Sequence, residues 1–172
     1  MSGPVERAGR PFVLTRGIDA PRDRVFEAFT RLDDLRGWMG PAGVAMVDCT
    51  LDLRPGGVFH YGMRLPTGVT MFGKWTFREI VAPQRLVVVV NFSDAAGGVT
   101  RHPMAPLWPL STLSTTTFAE DGARTTLTLQ WQALDATDAE SMVFDASHGP
   151  MTQGWNGTFA QLDAYLAGPG RR

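Results

Sequence analysis

The chain has 172 residues, with 16 Lys and Arg against 17 Asp and Glu and a formal charge of −1. That length supports one domain with a full hydrophobic core, and the balanced charge excludes the basic field that nucleic acid or an anionic lipid surface would require. The single cysteine, Cys49, excludes an internal disulfide and suits a reducing, cytoplasmic setting.

Residues 1–11 carry charges and no apolar stretch, so no signal peptide is expected. The longest strongly apolar run, Leu86 to Val90, reads as a strand and is far too short to insert in a membrane. The Gly-, Pro- and Arg-rich ends, 1–9 and 168–172, read as flexible termini around a single domain over 10–167.

In chain order, Phe12 to Ile18 reads as a strand. Pro21 is placed at the first helical position, with Asp19 as a candidate cap, and Val25, Phe26 and Phe29 form the helix's apolar stripe. Leu32, Leu35, Trp38 and Met39 continue into a second short helix that Gly40-Pro41 stops. Val47, Cys49, Leu51 and Leu53 alternate with polar residues, as in a half-buried strand whose core face includes Cys49. Pro55-Gly56 has the chemistry of a type II turn. Val58 to Leu65, Val69 to Ile80 and Arg85 to Phe92 follow as strands, separated by Pro66-Thr67-Gly68 and Pro83-Gln84. Asp94 to Gly98 is a turn. Thr100 to Pro109 holds Pro103, Pro106 and Pro109, which exclude a central strand; with Met104, Leu107 and Trp108 it reads as a stiff apolar loop over an opening. Ser111 to Phe118 and Arg124 to Trp131 form a hairpin across Asp121-Gly122, with Leu127, Leu129 and Trp131 inward.

From Asp138 to Leu166 the periodicity is helical, with Thr137 or Asp138 as cap and Glu140 in the first turn. Phe144, His148, Met151, Trp155, Phe159, Leu162 and Leu166 fall on one stripe, with Trp155 central. Pro150 cannot donate back to residue 146, so the helix is expected to kink or split there, with Pro150 opening the second half. The order is β-α-α followed by six strands and a long helix. This implies an α+β fold: a curved antiparallel sheet of about seven strands wrapped around the C-terminal helix, with two short helices after the first strand.

Several segments resemble a known superfamily. Ile18-Asp19-Ala20-Pro21 with Val25-Phe26-Glu27-Ala28 resembles the opening of START-like, or SRPBCC, helix-grip proteins. Asp52-Leu53-Arg54-Pro55-Gly56-Gly57 resembles a turn of the branch related to activators of the heat-shock chaperone ATPase. Gly73-Lys74, Arg78-Glu79-Ile80 and Pro83-Gln84-Arg85-Leu86 continue the pattern, as do His102-Pro103-Met104, Trp108-Pro109-Leu110, Gln153-Gly154-Trp155 and Tyr165-Leu166. The resemblance runs from about Phe12 to Leu166. It implies a deep cavity between sheet and helix, but no single activity, since members bind lipids, shape polyketides or aid a chaperone.

Among residues able to do chemistry, His148 lies in the apolar stripe, where it could meet a ligand or simply sit at the helix break. His60 alternates with Phe59 and Tyr61, so one of the two sets faces the cavity. Glu79 shares strand parity with Trp75 and Phe77 and would be an acid–base group if buried, or an ion-pair partner at the strand end. His102 is expected at the surface. The histidines, at 60, 102 and 148, give no metal-ligating spacing, there is no phosphate loop or nucleophile elbow, and no cofactor is expected. The expected ligand-binding set is Trp38, Phe59, Tyr61, Met63, Trp75, Phe77, Trp108, His148, Met151, Trp155 and Phe159, with Met71, Met104 and Met142 adding adaptable apolar surface. Gly154 flanks the stripe and leaves room for a ligand or a tight sheet contact; Gly157, on the far side, would suit a homodimer contact. The function expected is binding of a small hydrophobic molecule; a cyclase- or hydrolase-like enzyme and a chaperone-interacting module are the alternatives.

Overall fold

A computed structural model describes residues 10–40 and 42–168. Pro41 of the predicted Gly40-Pro41 stop, and the termini apart from Gly168, lie outside the described residues. Strands β1 (Phe12–Ile18), β2 (Ala45–Leu51), β3 (Val58–Arg64), β4 (Thr70–Val81), β5 (Arg85–Ser93), β6 (Val99–Thr100), β7 (Ser111–Asp121) and β8 (Arg124–Leu134) are joined by helices α1 (Arg22–Thr30) and α2 (Leu32–Trp38) after β1, and α3 (Asp138–Ala146) and α4 (His148–Ala167) at the end. The strands form one curved antiparallel sheet, ordered β1-β8-β7-β5-β4-β3-β2, with the short β6 added beside β5. β6 lies where the sequence showed only turn and loop, because a single pair of rungs, Phe92 with Thr100 and Ser93 with Val99, extends β5.

The α1 stripe is buried as its spacing demands. Phe26 and Phe29 both meet Phe118 of β7 edge-on, and Phe29 also packs against Trp38 of α2. The Trp38 indole N–H donates to Ala28 O at 2.8 Å, which lets the ring be buried with its polar atom satisfied. Pro21 is the N-cap residue of α1 rather than its first helical residue, and no side chain caps that end. Asp19 instead faces Arg124, 3.7 Å away.

Two strands depart from simple alternation. In β2 the register shifts between Val47 and Thr50, and Asp48 takes a positive φ of 52°. The extra residue is a bulge. It puts Val47 opposite Gly62 on the outer face, while Cys49 stays buried. Leu53, expected inward, lies beyond the strand and is exposed. In β4 the register shifts between Phe77 and Glu79, so Glu79 pairs with Val87 while the buried Phe77 pairs with the buried Val88. Glu79 thereby leaves the face of Trp75 and Phe77 and forms an ion pair with Arg85 near the strand end.

The C-terminal helix is split. Ser147 stands between α3 and α4, so Pro150 is the third residue of α4 rather than its opener. A proline in the first turn removes an N–H that has no intrahelical acceptor. Thr137 caps α3 through a full capping box with Glu140. Phe144, Phe159 and Leu162 are fully buried, whereas Met151, Trp155 and Leu166 are half-buried.

The far end of α4 is held by a buried carboxylate. Asp34 of α2 receives both guanidinium nitrogens of Arg24 of α1, at 2.9 and 3.1 Å, and the Tyr165 hydroxyl at 2.5 Å. Tyr165 lies so close over Gly37 that a Cβ there would fall 2.3 Å from its ring. Burial pushes the Asp34 carboxyl up, but the hydrogen bonds from Arg24 and Tyr165 outweigh it and hold the pKa below its usual value. Asp34→Ala is expected to destabilise the fold by about 3 kcal/mol, because it removes the buried carboxylate that joins Arg24 and Tyr165. Since the folded pKa is the lower one, the Asp34 contribution is present above the unfolded value near 3.8 and is lost as pH falls through the folded value. Urea melts between pH 6 and pH 2 should show this acid loss in the wild type and less of it in Asp34→Asn.

Cys49 gives a second check. Its side chain is buried, and burial raises the thiol pKa. A thiol reagent is expected to label it only after denaturation; rapid labelling of the native protein would contradict the bulged β2 register.

Candidate functional site

The inner face of the sheet follows from the register. Phe59 lies opposite Trp75, Tyr61 opposite Gly73 and Met63 opposite Met71. Gly73 is required at this spot, since a Cβ would sit 2.7 Å from the Tyr61 hydroxyl oxygen. Val90 pairs with Thr112 on β7, and Trp131 of β8 lies beside them. Towards α1, Phe59 and Phe77 pack into solid core. Towards the other end, α4 and the sheet part company.

Between them is an apolar cavity of about 400 Å³. The strands contribute Tyr61, Met63, Met71, Trp75, Val90 and Trp131; α4 contributes Met151, Gly154, Trp155 and Thr158. The connection between β6 and β7 closes one side with His102, Trp108, Pro109 and Leu110. Trp155 meets Trp131 edge-on at 5.4 Å and leans on Phe159 at 5.3 Å, so it forms a wall of the space rather than the centre of a packed stripe. Gly154 has nothing within 4 Å of an added Cβ, which rules out the tight sheet contact and leaves open room.

The proline-rich connection is tied down by one carboxylate. Arg101 donates to Glu140 Oε2 at 2.9 Å and the Leu110 N–H donates to the same oxygen at 3.3 Å. Oε1 accepts from the Thr137 hydroxyl and N–H at 3.0 and 3.3 Å. The Arg101 hydrogen bond holds the Glu140 carboxyl below the usual range. Trp108 adds a ring contact to the buried Phe144 at 5.5 Å. Glu140, which its position in the sequence marks only as a capping residue, thus fastens the loop to the start of α3.

Of the expected ligand-binding residues, Tyr61, Met63, Trp75, Trp108, Met151 and Trp155 come together around the cavity. Trp38, Phe59, Phe77 and Phe159 are buried in the adjoining core instead. His148 stands at the start of α4, edge-on to Phe12 and Phe144, away from the cavity lining. His60 is on the outer face, stacked on Phe72, with Nε2 3.1 Å from the Ser93 hydroxyl. His102, expected at the surface, is half-buried against Phe92 at 4.5 Å and lines the cavity; burial lowers its pKa. Met104 and Met142, read as adaptable ligand surface, are instead exposed. Met71, Val90 and Phe92 follow from strand parity; Met39 and Thr112 carry no comparable signal, because they depend on where the helices leave the sheet uncovered.

Among the described residues, none that lines the cavity is Asp, Glu, Lys or Arg. Its polar groups are the Tyr61 phenol, with a pKa pushed up by burial, the Asn91 amide, the hydroxyls of Thr112 and Thr158, His102 and the indoles. Asn91 Nδ2 donates to Leu110 O at 2.9 Å and to the Ser111 hydroxyl at 2.7 Å. No group of three or more His, Cys, Asp or Glu among the described residues could hold a metal ion, and no described helix is long and apolar enough to cross a membrane.

Solved structures share this architecture. Protein Ms6760 from Mycobacterium smegmatis aligns with a TM-score of 0.73 at 22% identity, covering 94% of this chain and 93% of that one. A protein from Arthrobacter aurescens gives 0.73 at 26% identity, covering 94% and 88%. A protein from Rhodobacter sphaeroides gives 0.74 at 18% identity, covering 98% and 99%. A search of curated proteins finds no match. Residues 19–167 match the family model described as activator of Hsp90 ATPase homolog 1-like protein. That match runs from just after β1 to the end of α4, taking in the other strands, the cavity and both C-terminal helices, and the chain belongs to this family of helix-grip domains.

Proposed function

We propose that the protein binds a small hydrophobic molecule in the cavity between the sheet and α4. The observation that carries this reading is the cavity itself: about 400 Å³ of apolar, uncharged space beside a core that elsewhere is closely packed. That volume falls in the range of small-molecule sites. A ligand filling it would gain roughly 25 cal/mol for each Å² of apolar surface removed from water. Met39, Met63, Met71 and Met151 give the walls unbranched side chains that repack at little cost.

The arrangement favours binding over catalysis. Acid–base chemistry needs two titratable groups converging on one point. His60 and Glu79 are turned to the outer face and His148 lies at the helix junction. His102 and a Tyr61 phenol held protonated by burial are what the cavity offers. Gly157, the residue that would suit a homodimer contact, is exposed with open space around it, and the binding reading needs neither a second copy nor a chaperone.

The test uses a neutral naphthalene dye followed by its own emission and by tryptophan quenching. Binding should quench the wild-type protein, because Trp75, Trp108, Trp131 and Trp155 all line the space. Gly154→Leu is expected to keep or raise the melting temperature, since Leu improves helix propensity by most of about 1 kcal/mol and its side chain enters open volume. The same substitution should weaken dye binding about tenfold or more by occupying the site, a change of about 1.4 kcal/mol. A wild type that binds no dye, together with a Gly154→Leu variant destabilised by about 1–3 kcal/mol as in an overpacked core, would overturn the reading.

A further inference from the structure

We propose that the ligand is electrically neutral and carries a hydrogen-bond acceptor, such as a ketone or ether oxygen, that is received by the indole N–H of Trp131. This inference rests on the cavity-binding reading and specifies the chemical class it takes.

Neutrality follows from the lining. No described cavity residue is an acid, a lysine or an arginine. Arg101 and Glu140, which tie down the loop that closes one side, are joined to each other at 2.9 Å. A carboxylate, sulfonate or ammonium entering this space would shed its hydration with no counter-charge to replace it. His102, which could supply a positive charge, is driven towards its neutral form by burial.

The acceptor follows from the donor inventory. An indole N–H donates and never accepts. Trp131 Nε1 is buried without a hydrogen-bond partner, whereas the buried indole of Trp38 has its backbone carbonyl. A buried donor left unpaired is unfavourable, and of the unpartnered buried polar atoms among the described residues, Arg22 Nε, Trp131 Nε1, Asp145 Oδ1 and His148 Nε2, only that of Trp131 belongs to a cavity residue. The Asn91 amide nitrogen is itself a donor, given to Leu110 O and the Ser111 hydroxyl, so it offers the indole no acceptor. Trp131 belongs to the cavity wall, and Trp155 stands edge-on to it at 5.4 Å. Trp155 is only half-buried, and the helix beside it has open space at Gly154. A small displacement of the Trp155 ring therefore admits a ligand oxygen to the N–H without disturbing the packed Phe159 beneath.

The test compares three dyes on one dimethylaminonaphthalene ring, bearing a propionyl ketone, a propyl group or a carboxylate, titrated at pH 7.5 by fluorescence anisotropy. The ketone should bind at least about tenfold more tightly than the carboxylate. Trp131→Phe, which keeps an aromatic ring at the position, should weaken the ketone about five- to tenfold and leave the propyl dye unchanged. The infrared carbonyl stretch of the ketone bound to wild type should lie below its value in alkane, and this readout stands even if the variant does not fold. A carboxylate that binds as tightly as the ketone, a Trp131→Phe variant that weakens ketone and propyl dyes alike, or a bound carbonyl at its alkane frequency overturns the proposal. If propyl and ketone dyes bind but these preferences are absent, the cavity-binding reading survives alone; if no dye binds, both fall.

Discussion

The sheet offers more apolar inner surface than the helices laid on it can cover, and the arrangement of the protein follows from that mismatch. α1 and α2 fill one end with Phe26, Phe29 and Trp38 against Phe118. α4 presses Phe159 and Leu162 into the middle. Beyond them Met151, Gly154 and Trp155 of α4 border the space rather than fill it, and across it the strands present Tyr61, Trp75 and Trp131. A solid core and an open cavity are thus consecutive stretches of one surface, and Met151, Gly154, Trp155 and Thr158 of α4 mark the boundary.

Such a cavity persists only if its walls are held from outside. Asp34 fixes the C-terminal end of α4 to α1 and α2 through Arg24 and Tyr165. Arg16 of β1 adds a second tie along the helix through Asp163 at 2.6 Å. At the other end Glu140 joins the proline-rich loop to α3, accepting from Arg101, the Leu110 N–H and Thr137. Asp34 and Glu140 are buried carboxylates whose oxygens are met by specific donors, the condition under which a buried charge orders structure. Between the two anchors lies the Ser147 break, which lets α3 and α4 take independent directions. The cavity is therefore bounded by elements fixed at their ends rather than by side chains packed across it.

Much of this was readable in the chain. The meander of alternating strands, the turn at Pro55-Gly56 and the amphipathic tail specify the sheet and its covering helix through local periodicity, and the proline-rich loop marks itself as a lid. What failed did so for definable reasons. One extra residue at Asp48 and a second irregularity before Glu79 reverse strand parity, and parity is the only evidence a sequence gives about which way a side chain points. Val47 leaves the core face for that reason, and Glu79 leaves the parity of Trp75 and Phe77 for the strand-end ion pair that was its alternative. His148 fitted the helical stripe, but the stripe assumed one continuous helix, and the split leaves His148 at the junction against Phe12 and Phe144.

The same distinction separates the site residues. Hydrophobic periodicity grouped Phe59 with Tyr61 on the strand face opposite His60, and Trp155 with Phe159 on one helical stripe, because an apolar residue on a pleat or a helical stripe is committed by the backbone's own repeat. It could not determine which of them touch one another and which touch empty space. Phe59 and Phe159 are packed shut while Tyr61 and Trp155 border the cavity, although all four carry the same signal. Likewise Glu140 was legible as a cap but not as the anchor for a loop 30 to 39 residues away. Inward direction is local and is set by the chain; packing, vacancy and long-range pairing depend on where separate elements end against one another, and only the tertiary structure decides that.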